Sequence, residues 1–194
     1  METTIQNETL STLVRDFNLG NNVSEELLQL GETDARFLKD LRININNGLN
    51  LPSLSKKEAY FIAYAVAINE KNTVLKSGFK ESALANGASV QELSEVIACT
   101  SLMNTNNVYY RFKHFAKKEF YDKAQAGIRM SIMVNPVLGK EFFELLSLAI
   151  SAVNGCEMCV TSHEESVLKH GGTQERILDA VRLAAIIKGF TSIL

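Results

Sequence analysis

Apolar residues recur at three- and four-residue intervals along most of the chain, the period of helices with one buried face. Alternating β-branched stretches are missing. Helices are expected near 24–30, 33–47, 55–71, 73–86, 90–114, 117–126, 138–154, 157–170 and 174–190. Local chemistry supports several of these ends. Ser55-Lys-Lys-Glu58 and Ser89-Val-Gln-Glu92 have capping-box spacing, Gly87 and Gly171 stand where helices would stop, and Thr173 can cap the last one. With proline only at 52 and 136, the pattern predicts an all-α fold.

A shift of 84 residues superimposes Glu81-Ser-Ala-Leu84-Ala-Asn-Gly87 on Glu165-Ser-Val-Leu168-Lys-His-Gly171. It also matches Ala65 with Ala149, Ser89 with Thr173, Leu93 with Ile177 and Ile97 with Val181. Two internal helical repeats are expected, about 55–115 and 138–194, within a domain spanning 31–194. Residues 1–30 form an N-terminal extension to which the sequence assigns no role.

The second copy carries chemistry that the first lacks. Phe142 to Val153 is apolar nearly all round, as in a buried helix, except for Glu144, Ser147 and Ser151 at i, i+3 and i+7. Burying an ionised carboxylate costs several kcal/mol, of order 5, unless it is paired, so desolvation is expected to raise the pKa of Glu144 toward neutrality. A glutamate reaching the surface near the helix start is the competing reading. Beyond this helix, Gly155-Cys156-Glu-Met-Cys159-Val-Thr-Ser-His163 places two thiols and an imidazole at i, i+3 and i+7, on one helix face. At the 84-residue offset the positions of Glu144, Cys156, Cys159 and His163 hold Tyr60, Asn72, Leu75 and Phe79.

A Cys-x-x-Cys at a helix start gains from free backbone N–H groups and the positive end of the dipole, which favour thiolate. Thiol redox is the chemistry this arrangement favours: a thiolate attacks and its neighbour closes a disulfide. Zinc is the rival reading, but Cys156, Cys159 and His163 supply only three ligands, and His170 lies two turns further, about 10 Å along the helix. An inert buried thiol pair is the other. Cys99 reads as a core residue, His114 as packed or at the surface, and His170 as an end-of-helix residue.

Composition narrows the classes further. The 194 residues are 46% hydrophobic, enough for a substantial core, and the net charge of −2 with both signs interspersed argues against nucleic acid. No apolar run approaches a membrane span, and the start METTIQNETL lacks the basic and apolar regions of a signal peptide. Three cysteines do not make a secreted disulfide framework, so a cytoplasmic protein with a reactive Cys-x-x-Cys is expected.

Glu144, Cys156, Cys159 and His163, with Asn106-Asn-Val-Tyr-Tyr-Arg111-Phe-Lys-His114-Phe115, Arg129-Met-Ser-Ile-Met-Val-Asn135-Pro136 and the two-copy organisation, resemble the alkyl hydroperoxidase D (AhpD) family over roughly residues 30 to 194. The wider superfamily includes carboxymuconolactone decarboxylases. The resemblance implies a helical homotrimer that reduces a small-molecule hydroperoxide and passes electrons to a partner peroxiredoxin. It implies no bound cofactor or metal, with dihydrolipoamide on a lipoyl-bearing acyltransferase as the external reductant. Carried over by motif, Cys159 would be the peroxidatic thiol, Cys156 the resolving thiol, His163 the base and Glu144 the end of the proton relay. The family pattern carries a histidine between the cysteines where this chain has Met158. A decarboxylase-like lyase using His163 and Glu144, and a non-enzymatic thiol redox sensor, are the alternatives.

Overall fold

The structure, a computed structural model, describes residues 6–17, 19–20 and 22–194. Residues 1–5 of the opening METTIQNETL, and Asn18 and Asn21, lie outside them. Among the described residues there are ten α-helices and no strand: α1 Glu8–Asp16, α2 Glu25–Glu32, α3 Arg36–Gly48, α4 Lys56–Asn69, α5 Thr73–Ala85, α6 Val90–Ala116, α7 Glu119–Lys123, α8 Lys140–Val153, α9 Glu157–Lys169 and α10 Gln174–Thr191. The all-α expectation holds.

Two helices are buried on nearly every side, and they form the middle of the molecule. α4 buries Ala59 and every residue from Phe61 to Ala67, and α8 buries every residue from Phe142 to Ser151. Four alanines in α4 keep the helix thin and favour its formation, so α5, α6, α8 and α10 can all pack against it. α8 is covered in turn by α6, α9 and α10. Burial of each large apolar side chain, such as Phe61 or Phe143, stabilises by about 1.5–3 kcal/mol.

The expected caps are present. Ser55 with Glu58 and Ser89 with Glu92 form complete capping boxes, and Thr173 Oγ1 accepts the Arg176 N–H at 3.2 Å. Arg176 then joins three elements, bonding Glu58 at the start of α4, Glu141 at the start of α8 and the Ser53 carbonyl. Helix bounds also recur at the 84-residue offset: α4 corresponds to α8, α5 to α9, and the starts of α6 and α10 agree.

Three elements depart from expectation. α1 is an addition, capped by Asn7 and burying Leu10 and Leu13 against α2 and α3. Just beyond it, Phe17 lies edge-on to Phe79 and Phe190, with ring centroids 6.1 and 5.4 Å away. The helix expected over 117–126 shrinks to Glu119–Lys123, because Lys117 adopts φ +48° and ends α6 while Ala124 is extended. The segment between α7 and α8 holds only a 3-10 turn at Ser131–Met133, and α8 starts at Lys140 rather than 138, after Pro136 and Gly139 at φ +79°.

Candidate functional site

α8 ends at Val153, and the chain reverses through Asn154 and Gly155 into α9. Gly155 has φ +68°, a conformation that would strain a side-chain-bearing residue. Cys156 is the N-cap of α9, its own N–H held by the Ser151 carbonyl at 3.0 Å. Cys159 follows in the first turn and His163 one turn later, so α9 lies back along α8 with both facing it. The cysteines form a disulfide with S–S 2.07 Å and Cα–Cα 5.3 Å.

The long helix α6 holds this reversal in place. Asn107 Nδ2 donates to Ser151 Oγ at 2.9 Å, Asn154 Nδ2 donates to Asn107 Oδ1 at 2.9 Å, and Arg111 Nη1 donates to the Asn154 carbonyl at 2.6 Å. The Asn-Asn-Val segment thus ties the turn that presents the cysteines.

His163 Nδ1 lies 2.6 Å from Glu144 Oε2, and both side chains are buried. Lys140 Nζ donates to the other oxygen, Oε1, also at 2.6 Å, and to the Met133 carbonyl at 2.7 Å. Burial alone would push the Glu144 carboxyl up, but the hydrogen bonds and positive charge of His163 and Lys140 outweigh it and hold the pKa below the ordinary glutamate value. The expected rise toward neutrality is therefore overturned. Lys140, four residues earlier on the same helix face, is the group the sequence reading missed. Since an ionised carboxylate only accepts, His163 carries its proton on Nδ1 and leaves Nε2 bare when the ring is neutral.

A cavity of about 270 Å³ opens beside the pair, walled by Asn106, Tyr110, Met130, Met133, Met158, Cys159, Ser162 and His163. Cys159 lines it; Cys156, 1% exposed, does not. Asn106 Nδ2 contacts Met130 Sδ at 3.3 Å, while its buried Oδ1 has no hydrogen-bond partner among the described residues. The methionine wall from the irregular 124–139 segment had no periodic signal in the sequence. Met158, in the position between the cysteines, is 43% exposed at the rim.

The remaining candidates separate from this cluster. Cys99 is wholly buried against Ser147 Oγ at 3.4 Å, and burial pushes its thiol up to about 12. His114 is at the surface, Nε2 at 3.4 Å from Glu157, and His170 donates to the Ser166 carbonyl at the end of α9. No group of three or more His, Cys, Asp or Glu among the described residues is arranged to hold a metal ion. Nor is any helix among them long and apolar enough to cross a membrane.

The carboxymuconolactone decarboxylase family model matches residues 121–194. Proteins named alkyl hydroperoxide reductase AhpD are similar over most of the chain. The one from Beijerinckia indica is 40% identical over 152 residues, 78% of this chain and 84% of its own. The relatives from Hyphomonas neptunium (37% identity, 81% and 87% covered) and Brucella canis (40%, 78% and 86%) agree. A crystal structure named for a gamma-carboxymuconolactone decarboxylase subunit of Burkholderia xenovorans shares the fold, with TM-score 0.63, 17% identity and 95% and 94% of the two chains covered.

Proposed function

The chain belongs to the AhpD family, and from that premise we propose that it is a thiol-dependent peroxidase reducing alkyl hydroperoxides through Cys156 and Cys159. The observation that carries the reading is the cavity shared by Cys159 and His163, with Glu144 behind the imidazole and Cys156 within bonding distance of its partner.

In the reduced protein, bare Nε2 of His163 takes the Cys159 thiol proton, and Glu144 stabilises the imidazolium. The thiolate attacks the terminal oxygen of the hydroperoxide: the S–O bond forms, the O–O bond breaks, and the departing alkoxide takes the proton from His163. Cys159 is left as a sulfenic acid. Cys156 sulfur then attacks Cys159 sulfur, losing its proton as hydroxide leaves, so that water is released and the disulfide closes. Two electrons and two protons from an external dithiol reopen it. Dihydrolipoamide is the reductant in this reading, because a narrow cavity admits a swinging arm more readily than a folded partner. A partner peroxiredoxin, a lipoyl-bearing acyltransferase, a homotrimeric assembly and a cytoplasmic setting complete the proposal, all resting on the family.

The family-model match over 121–194 supports a second reading, lyase chemistry with His163 and Glu144 as acid and base. A hydroperoxide-consumption assay recycled by dihydrolipoamide separates the two. Turnover that disappears in Cys159→Ser supports the peroxidase. No peroxide turnover, with decarboxylase activity surviving in a double Cys156→Ser, Cys159→Ser protein, supports the lyase. Reversible disulfide formation with neither activity leaves a redox sensor.

A further inference from the structure

We propose that Lys140 is the positioning residue of the relay: its ammonium keeps Glu144 a carboxylate turned toward His163 and thereby sets the pH range in which the Cys159 thiol ionises. The inference rests on the thiol reading above.

Lys140 is the first residue of α8, where the positive end of the helix dipole disfavours a cation. A lysine there needs compensation, and both of its contacts provide it. Its Nζ donates to Glu144 Oε1 at 2.6 Å and to the Met133 carbonyl at 2.7 Å. The first contact occupies one carboxylate oxygen and leaves the other for His163 Nδ1, so one buried group is gripped from two sides. The second ties the ammonium to the 3-10 turn that walls the cavity.

The other groups around the relay do not duplicate this charge. Glu141, next on α8, is bound by Arg176 of α10. Glu95 of α6 accepts the Val137 and Leu138 N–H groups at 2.9 and 2.6 Å, anchoring the approach to α8. Cys99 of α6 lies near enough to Glu144 for the carboxylate charge to raise its thiol, while Tyr110 of α6 and Cys159 of α9 line the cavity with His163. Among these, Lys140 is the cation in contact with Glu144. With it gone, burial pushes the Glu144 carboxyl back toward its neutral form, the His163 imidazolium loses part of the charge that stabilises it, and Cys159 ionises at higher pH.

The test is the pH dependence of Cys159 alkylation in the reduced full chain, read by iodoacetamide labelling and peptide mapping. Lys140→Met, which keeps the stem and removes the charge, is expected to shift the curve upward by about one pH unit, roughly tenfold slower labelling on the thiolate limb. Lys140→Arg should restore most of the wild-type curve. Because the effect runs through the carboxylate, Lys140→Met added to Glu144→Gln should give no further shift. A wild-type curve in Lys140→Met, or an equal shift in the Glu144→Gln background, overturns the proposal. Labelling needs no hydroperoxide turnover, so failure of the peroxidase reading leaves this result interpretable. Thermal unfolding of each variant shows whether the fold is retained.

Discussion

Asn107 donates from Nδ2 to Ser151 Oγ across 2.9 Å, and this buried bond joins the middle of α6 to the last turn of α8, five residues before Cys156. Asn107→Ala would strip Ser151 and Asn154 of a shared partner. A loss of about 1–3 kcal/mol is expected, the usual cost of leaving buried polar groups unpaired. Urea unfolding measures it, and an unchanged midpoint would mean that water replaces the amide without cost.

The two cysteines should behave differently. Cys159→Ser is expected to abolish hydroperoxide consumption, whereas Cys156→Ser should react once and stall as a sulfenic acid trapped by a dimedone probe. Cys99, its thiol pushed up to about 12, should alkylate slowly in every variant. Stalling in the Cys159→Ser protein instead would reverse the two roles.

Glu144→Gln preserves shape but removes the charge that His163 and Lys140 share. Peroxide reduction should slow by about 10²–10⁴, the range for a lost general acid or base. Glu157→Gln is the control, since Glu157 is solvent-exposed and pairs only with surface His114 among the described ion pairs. Equal rates in the wild type and Glu144→Gln would make the carboxylate structural.

Acid sensitivity should trace to Glu58. Burial pushes its carboxyl up, but hydrogen bonds from Arg176 and the Ser55 cap bring it below the ordinary value. A depressed folded-state pKa gives stability that is present above the unfolded-state value of about 4.3 and lost as pH falls through the folded one. Glu58→Gln should lower stability near neutrality and flatten its decline on acidification, read as unfolding midpoints at successive pH values. Parallel curves for the two proteins would remove Glu58 from the acid response.

Asn106, on the wall of the cavity, carries a buried Oδ1 that has no partner among the described residues. Asn106→Leu should therefore be neutral or stabilising by about 1 kcal/mol, because an unpaired acceptor is replaced by apolar surface of similar size. If that oxygen receives the O–H of the hydroperoxide, KM should rise at least several-fold in the same variant. Unchanged peroxide kinetics would leave the oxygen without a substrate role.

Residues with internal pattern were legible before the structure. Glu144, Ser147 and Ser151 form a polar stripe on an otherwise apolar helix, so spacing favoured burial over a surface position, while the relay through His163 came from the family resemblance. The charge state of Glu144 did not, because it depends on which way Lys140 reaches, and a helical period says nothing about that. Met130 and Met133 come from irregular chain, which has no period to read. α1 escaped for a related reason: nine residues with two buried leucines form a helix only because α2 and α3 are there to receive them.

Phe17 has a consequence for the other half of the molecule. The small cavity beside it, about 100 Å³, is lined by Tyr60, Leu75 and Phe79, the residues 84 positions before Glu144, Cys159 and His163. Where the second half sets a carboxylate, a thiol and an imidazole, the first sets a phenol, an isobutyl group and a phenyl ring, and Phe17 packs edge-on against Phe79. A chain cut before Ser24 would uncover that crevice, and the newly wetted Phe79 and Phe190 would make the shortened protein adhesive toward other apolar surfaces while its dithiol stayed intact.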